Sequence, residues 1–292
     1  MRYLVLGGTG FLGSKIVHKL ISSGNEVACT KREGSHMERL LDCMDKIDVV
    51  STSLCDIEMY FQTKKTDCVI NVACNYGRQS MLYGDVLEAN IEFPLKVLNK
   101  MTEYGVQRFL TIGTGLPDEL NMYSFSKKMF SEFGRFYHEK HGIDFYNLKL
   151  EMFYGPDEPR DRFIPSVITS LLQGKDVDTS IGTQKRDIIY VEDIIKAVFM
   201  VLDSDLKGYY EIPVGTGDAP TISELLDYIK EKSGSSAVIH KGAYPMRADE
   251  PDCVADTQFL KSIGEWNPTP WKEGIANMIE HMRKEKTDEN LN

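Results

Sequence analysis

A glycine-rich run near the start of the chain constrains its fold more than any other feature. The run is Gly7-Gly8-Thr9-Gly10-Phe11-Leu12-Gly13, and it lies between the apolar residues 3–6 and an amphipathic stretch over residues 14–22. Glycines spaced in this way permit a tight turn between a strand and a helix. They also let the backbone approach a pyrophosphate, whose charge is favoured at a helix N-terminus. The run therefore predicts a strand, a tight turn and a helix with a dinucleotide at the turn.

Short apolar runs alternate with amphipathic stretches through the first half of the chain. The apolar runs cover residues 3–6, 26–30, 48–51, 68–73, 109–112 and 145–150, and the amphipathic stretches cover residues 14–22, 37–44, 86–104 and 123–141. This alternation is typical of right-handed βαβ units on a parallel sheet. We predict an α/β fold with a Rossmann-like, doubly wound parallel sheet.

The alternation loosens after Tyr154-Gly155-Pro156, where prolines separate shorter elements. We predict a dinucleotide-binding Rossmann domain over residues 1–155, followed by a smaller C-terminal α/β substrate lobe over residues 156–282. Residues 186–202 resemble a further strand and helix, which we expect to return to the first domain. Residues 283–292 are charged and lack apolar anchors, so we expect a frayed tail.

Charge and composition narrow the class of partner. Lys and Arg number 34 against 44 Asp and Glu, which gives a formal net charge of -10. This balance argues against a general binder of nucleic acid or anionic membranes, because such binders neutralise phosphates with many cations. No apolar stretch approaches the roughly 18 residues of a membrane span, and no secretory leader is evident, so we expect a cytoplasmic protein. We expect the six cysteines to be reduced thiols.

The end of the second predicted strand indicates which dinucleotide is bound. This position usually carries a carboxylate for the ribose of NAD(H), but here Lys31-Arg32 follow the strand. A guanidinium suits a 2′-phosphate, so NADP(H) is favoured over NAD(H), although Glu33 is near and the two cations could form an ordinary solvated loop pair. The predicted cofactor-binding residues are Gly7, Thr9, Gly10, Phe11, Leu12, Gly13, Lys31, Arg32, Asp56, Val72, Ala73, Tyr123 and Lys127.

Tyr123 and Lys127 form a Tyr-x-x-x-Lys pair on a predicted helix. Their spacing of four places both side chains on one helix face. A phenol with an ordinary pKa near ~10 is a poor acid or base at neutral pH, but a neighbouring ammonium favours the phenolate. Together with a dinucleotide site, the pair predicts proton transfer during redox chemistry at a carbonyl.

Thr114 follows the strand over residues 109–112, at the carboxyl edge of the predicted sheet, where doubly wound folds bind ligands. Its hydroxyl is placed to hydrogen-bond a carbonyl oxygen. We therefore predict Thr114, Tyr123 and Lys127 as the catalytic residues and no metal. The run His138-Glu139-Lys140-His141 lacks a third ligand and the spacing of a zinc site.

These residues, with Tyr154-Gly155-Pro156 and the run from Arg186 to Asp193, resemble those of the extended short-chain dehydrogenases/reductases, the nucleotide-sugar epimerase/dehydratase group. The resemblance covers nearly the whole chain. It implies a Ser/Thr-Tyr-Lys active site in which the tyrosine is the acid/base and the lysine also holds the nicotinamide ribose. It further implies a nucleotide sugar between two lobes, with Arg186 and Arg247 on its diphosphate, and a homodimer paired through the helix of Tyr123.

Within this family, the chain resembles bacterial NDP-4-keto-6-deoxyhexose 4-reductases, which make deoxysugars for surface polysaccharides such as the lipopolysaccharide O-antigen. The resemblance rests on Cys74-Asn75-Tyr76-Gly77-Arg78, on residues 114–123 and on residues 150–156. The predicted substrate-binding residues are Tyr76, Arg78, Thr114, Glu151, Arg186 and Arg247. Lys149 and Met152 depart from the commoner Arg and Asn before Tyr-Gly-Pro, which argues against an epimerase more than against the fold.

Three hypotheses follow. The first is an NADPH-dependent reductase acting on the C4 keto group of a nucleotide-linked 4-keto-6-deoxyhexose. The second is an NAD-dependent nucleotide-sugar 4-epimerase, which keeps its cofactor bound through the cycle. The third is a non-catalytic dinucleotide-sensing protein, a class that typically loses the Tyr or the Lys; here both are present.

Overall fold

The computed structural model describes residues 1–77, 83–247 and 250–289, with side chains as far as residue 285. The chain divides by its contacts into two compact units. One comprises Met1–Lys149 with Val198–Ile212, and the other comprises Leu150–Ala197 with Pro213–Asn292.

The first unit alternates strands with helices along the chain. Its strands are β1 (Arg2–Leu6), β2 (Glu26–Lys31), β3 (Ile47–Ser51), β4 (Cys68–Asn71), β5 (Arg108–Thr114) and β6 (Asp144–Leu150), joined by β10 (Tyr209–Val214). Its α-helices are α1 (Phe11–Ser22), α2 (Leu54–Thr63), α3 (Tyr83–Leu87), α4 (Phe93–Tyr104) and α5 (Met122–His141). A 3₁₀ helix covers Glu38–Lys46, and a π-helical turn covers Glu88–Glu92.

These strands form a seven-stranded sheet in the order β10-β6-β5-β4-β1-β2-β3. The pairings from β3 through β2, β1 and β4 to β5 are parallel. From β1 the chain adds β2 and β3 on one side of the sheet and then β4, β5 and β6 on the other. This reversal in the order of strands is the doubly wound arrangement. The predicted α/β fold class is therefore confirmed, and the carboxyl ends of five neighbouring strands meet at one edge of the sheet.

The core of this unit packs helices on a largely apolar sheet. On α1, Ile16, Val17 and Leu20 are buried, which is the face that the sequence pattern predicted. Beside β5, the rings of Phe109 and Phe145 stack with centroids 5.4 Å apart. Burial of such side chains contributes about 1.5–3 kcal/mol each, so these contacts hold the helices and strands of this unit together.

The second unit has shorter elements. They are β7 (Met152–Tyr154), α6 (Phe163–Leu172), β8 (Val177–Thr179), β9 (Ile188–Tyr190), α7 (Val191–Leu202), α8 (Ile222–Ser233), β11 (Ile239–Lys241), α9 (Gln258–Ile263) and α10 (Trp271–Glu289). Strand β7 pairs with β9, and β8 pairs with β11, both in parallel. Apolar residues of α6, α8 and α10 form its core.

Two boundaries differ from those expected from the sequence. Strand β9 and the first part of α7 lie in the second unit, and the chain returns to the first unit from Val198. The reason is that β9 pairs with β7 rather than with the large sheet. At the other end, α10 continues to Glu289, and Arg283 donates hydrogen bonds to the carbonyls of Lys232 and Ser233.

None of the helices in the described residues is both long and apolar enough to cross a membrane.

Candidate active site

The glycine turn between β1 and α1 brings backbone segments into close approach. Gly7 has a φ of 79°, and a Cβ built on it would lie 2.7 Å from the backbone nitrogen of Ala73. A Cβ built on Gly13 would lie 2.2 Å from the carbonyl oxygen of Gly7. Glycine is required at both positions, because any side chain would push the backbone segments apart.

The start of α1 suits an anion. Gly10 is the N-cap of α1, and no side chain caps the helix there. The N–H groups of the first turn have no partner within the helix. Because no side chain caps them, they can donate hydrogen bonds to a ligand beside Thr9 and Phe11. Such an N-terminus, next to glycines that leave room for the backbone to approach, fits the pyrophosphate of a dinucleotide.

The neighbouring strands complete this edge of the sheet. The Gly7 N–H donates to Thr30 Oγ1 at 3.2 Å, which ties the turn to β2. Lys31, the last residue of β2, is half-buried, and Arg32 is exposed just beyond it. On the other side of β1, the contact between Gly7 and Ala73 brings the segment after β4, which includes Val72, to the same turn.

Asp56 lies in a helix. It is in the first turn of α2, which begins at Leu54, after β3 has ended at Ser51. The Ser53 side chain accepts a hydrogen bond from the Asp56 N–H at 3.1 Å and caps the helix. The Ser53 side chain therefore fixes where α2 starts.

The predicted catalytic residues come from β5 and α5. Thr114 is the last residue of β5 and is nearly buried. Its Oγ1 accepts a hydrogen bond from the Leu116 N–H at 3.2 Å, and its own O–H can still donate to a ligand. Helix α5 begins after Asn121, whose side chain and that of Ser124 form a capping box. The capping box fixes the start of α5 one turn ahead of Lys127.

Lys127 joins the helix to the strand. Its side chain is 5% exposed, and Nζ donates a hydrogen bond of 2.9 Å to the Ile112 carbonyl on β5. The ammonium is therefore held within two residues of Thr114 along the strand. Burial lowers the pKa of Lys127, while the nearby Cys74 raises it. The balance is a lowered pKa, because removing an ammonium from water costs more than one weak partner returns.

Asn90, which was not predicted from the sequence, connects α5 to the loop after β4. Asn90 is 1% exposed, and its Oδ1 accepts from the Asn75 N–H at 2.7 Å. Its Nδ2 donates to the Asn75 carbonyl and to Ser126 Oγ, both at 2.9 Å. Ser126 precedes Lys127 in α5, so one amide ties the helix to the loop after β4. Asn90 lies in the π-helical turn, a feature that often marks functional sites.

That loop places an aromatic ring against the predicted acid/base. The ring of Tyr76 lies 4.9 Å from the ring of Tyr123, measured between centroids, at an angle of 36°. Tyr76 was predicted to contact the sugar, and the structure brings it to Tyr123. Arg78, predicted for the same role, lies outside the described residues.

In the second unit, Arg186 is buried and strongly bonded. Its Nη1 donates to the carbonyls of Lys185 at 2.9 Å and of Pro251, and its Nη2 donates to Glu250 in an ion pair. These contacts use three of the five guanidinium donors. Glu250, which lies 64 positions beyond Arg186 in the chain, was not among the predicted residues.

The neighbour of Arg186 fixes the segments around it. Asp187 is fully buried, and one carboxylate oxygen accepts from the Thr216 N–H and hydroxyl at 2.8 and 2.7 Å. The other accepts from the N–H groups of Gly217 and Ala255 at 2.9 and 3.2 Å. A carboxylate bound by four donors holds three chain segments together.

The two other predicted substrate residues of this unit differ in exposure. Arg247 is exposed. Glu151 is nearly buried, and its N–H donates to the Val214 carbonyl at 3.0 Å.

Comparison with known proteins gives consistent results. A family model described as the NAD dependent epimerase/dehydratase family matches residues 3–215. The chain is 28% identical to the CDP-abequose synthase of Salmonella muenchen, over 95% of this chain and 97% of that protein. It is 24% identical to a UDP-glucose 4-epimerase of Lactobacillus helveticus, over 92% of each. A crystal structure of UDP-glucose 4-epimerase with UDP-glucose from Thermotoga maritima has a TM-score of 0.86 at 23% identity, covering 98% of this chain and 100% of that chain.

Proposed function

The chain belongs to the NAD dependent epimerase/dehydratase family, and from that premise we propose that it reduces the C4 keto group of a nucleotide-linked 4-keto-6-deoxyhexose with NADPH. Membership makes it an enzyme of the NAD(P)-dependent oxidoreductase type, as predicted. The observation that carries the finer proposal is the similarity to CDP-abequose synthase along nearly the full length of both chains. The product would be a deoxysugar nucleotide for surface polysaccharide.

The dinucleotide is proposed to bind at the glycine turn. Gly7, Gly10 and Gly13 leave room for its pyrophosphate, and the uncapped start of α1 favours the negative charge. When bound, it supplies the hydride for the C4 carbon. Lys31 and Arg32 support a preference for NADP(H), because two cations at the end of β2 suit a 2′-phosphate.

Proton transfer is assigned to residues of β5 and α5. The Tyr123 hydroxyl donates the proton that the C4 oxygen acquires during reduction. The Thr114 hydroxyl donates a hydrogen bond to the same oxygen and orients it. The Lys127 ammonium favours the phenolate of Tyr123, and its bond to the Ile112 carbonyl holds the ammonium in place despite the cost of burial.

The diphosphate of the substrate is assigned to Arg186 and Arg247, and the sugar to Tyr76, Arg78 and Glu151. The contact between Tyr76 and Tyr123 supports the sugar assignment, since it places Tyr76 beside the acid/base. In an acidic chain, a few placed guanidinium groups concentrate positive charge where an anionic ligand needs it.

A homodimer is proposed through α5. Phe125 and Phe136 lie on this helix and are 44% and 50% exposed. Large apolar side chains at the surface suit a partner surface. Light scattering on a sizing column measures the assembly, and the substitution Phe136→Glu should yield monomer if the helix is the interface. A dimer that this substitution leaves intact would argue against α5 as the interface.

The deciding experiment is NADPH oxidation against 4-keto-6-deoxyhexoses linked to CDP, dTDP, UDP and GDP, with NMR of the product. We expect one nucleotide to support turnover and the NMR to show a hydroxyl at C4. Y123F is the matched control, which should lower turnover by about 10²–10⁴-fold while NADPH binding is retained. Failure across the whole panel would reject the reductase.

The alternative is a nucleotide-sugar 4-epimerase. The similarity to the UDP-glucose 4-epimerase of Lactobacillus helveticus favours it. An epimerase regenerates its cofactor at each turnover and keeps it bound. Purified protein that carries tightly held NAD and interconverts UDP-hexoses without added NADPH would establish this alternative in place of the reductase.

A further inference from the structure

A second group of functional side chains lies in the second unit, at the C-terminal helix α10. His281 and Glu285 are four residues apart on α10, so they share one face of the helix. Asp157, in the segment after β7, reaches the same point. His281 Nε2 lies 3.4 Å from Glu285 Oε1 and 3.6 Å from Asp157 Oδ1, and the three ligand atoms all lie within 4.8 Å of one another.

The imidazole nitrogen at the centre of this group is unsatisfied. Nε2 of His281 is buried and has no hydrogen-bond partner among the described residues. Its nearest acceptors are two carboxylate oxygens, at 3.4 and 3.6 Å, so the nitrogen faces concentrated negative charge. A cation between the three groups would give the imidazole nitrogen and both carboxylates a common partner.

The distances suit a small divalent cation. A tetrahedral Zn²⁺ with bonds of about 2.0–2.2 Å to nitrogen and oxygen holds its ligand atoms about 3.3–3.6 Å apart. The two separations from His281 Nε2, 3.4 and 3.6 Å, lie in this range. We propose that Asp157, His281 and Glu285 bind a zinc-type divalent cation, with water in the fourth position.

The surroundings orient one of the ligands. Arg160 forms an ion pair with Glu285 through Oε2, and the other oxygen, Oε1, faces His281. An outer partner that holds a ligating carboxylate in one orientation is typical of metal sites. The two carboxylates bring two negative charges, which a divalent cation balances.

A comparable group in the first unit lacks these properties. His18, Asp42 and Cys43 are also close together. There, His18 Nε2 is bonded to Asp42 Oδ1 at 2.9 Å, His18 Nδ1 to the Ser14 carbonyl at 2.8 Å, and Cys43 Sγ to the Leu40 carbonyl at 3.4 Å. Its ligand atoms are already satisfied, so no cation is required.

The proposed ion joins α10 to the segment after β7, within one unit. No metal was predicted from the sequence, because the run His138-Glu139-Lys140-His141 lacks a third ligand and the spacing of a zinc site. The site includes none of the proposed catalytic or substrate residues, so its test is independent of the enzyme's reaction.

The test is titration of the EDTA-treated full chain with ZnCl₂ by isothermal calorimetry, with thermal unfolding alongside. We expect one binding event and a rise in melting temperature. H281A and D157N should abolish both, and asparagine suits position 157 because it tolerates the left-handed backbone found there, with φ 68°. R160Q should weaken binding by about 10–100-fold.

H18A is the matched control and should bind zinc as the wild type does. Replacement of zinc by Co²⁺ tests the ligand set, because a thiolate-to-cobalt absorption band would show a cysteine ligand, which the proposed site lacks, and would overturn the proposal. Absence of zinc binding would overturn the proposal, as would binding that both H281A and D157N leave unchanged in variants shown to be folded by circular dichroism.

Discussion

Lys127 donates a 2.9 Å hydrogen bond from Nζ to the carbonyl of Ile112. The bond links α5, which carries Tyr123 and Lys127, to β5, which ends at Thr114. It therefore connects the two elements that carry the three proposed catalytic residues. It also holds an ammonium in a buried position, where desolvation lowers its pKa below the ordinary value of 10.5. Burying the Lys127 ammonium therefore lowers the stability of the folded protein but keeps a positive charge beside the proposed catalytic residues.

We predict that K127M abolishes turnover without lowering stability at neutral pH. Methionine fills the aliphatic space of the lysine but does not require a charge to be buried, so the melting temperature should stay equal or rise by a few degrees. Thermal unfolding of both proteins measures this. A fall of many degrees in K127M would show that the Ile112 bond outweighs the desolvation cost.

The same lysine predicts a pH dependence. Because its pKa is lowered in the folded state, the unfolded chain binds more protons at this residue between the lowered value and the ordinary value. The stability of the wild type should therefore rise with pH in this window relative to K127M. Melting curves recorded at increasing alkaline pH should show the two proteins converging; a constant difference would contradict the assignment.

Asn90 should be required for both stability and substrate binding. N90A removes three hydrogen bonds and leaves the Asn75 groups unsatisfied, so we expect a loss of about 1–3 kcal/mol in the free energy of unfolding. The KM for the sugar nucleotide should rise, since the loop carrying Tyr76 loses its anchor. S126A removes one of the three bonds and should have a smaller effect on both; equal effects would indicate a different cause.

The two cations after β2 should decide the choice of cofactor. K31A/R32A should raise the KM for NADPH by at least about tenfold, because it removes charged hydrogen bonds to the 2′-phosphate. The KM for NADH should be unchanged. E33Q is the matched control and should lower the KM for NADPH, as it removes a neighbouring negative charge. Equal losses with both cofactors would argue against a role in selection.

Arg186 should act on the sugar nucleotide alone. The double variant R186M/E250Q removes both charges of the ion pair, so neither is left buried without its partner, a change that otherwise costs about 3–5 kcal/mol. We expect the KM for the sugar nucleotide to rise by about tenfold or more, with the KM for NADPH unchanged. E250Q alone should keep substrate binding, and a KM equal to the wild type in the double variant would exclude Arg186 from the diphosphate.

The local features of this protein were predictable from its sequence. The glycine turn, the face of α1 and the four-residue spacing of Tyr123 and Lys127 depend on residues a few positions apart, where helix and strand periodicity apply directly. The order of strands and helices followed from the same periodicity and indicated the fold class. Helix α2, which Ser53 caps, was not among the amphipathic stretches predicted from the sequence.

Only the tertiary structure revealed the contacts between distant residues. Asn90 and Ser126 are 36 positions apart, Arg186 and Glu250 are 64 apart, and Lys127 and Ile112 are 15 apart on different elements. Such pairs depend on which strands become neighbours and how each helix packs on the sheet, and many chain segments compete for those places. The sequence therefore determined the fold class and candidate chemistry, while packing decided which buried polar groups support the site.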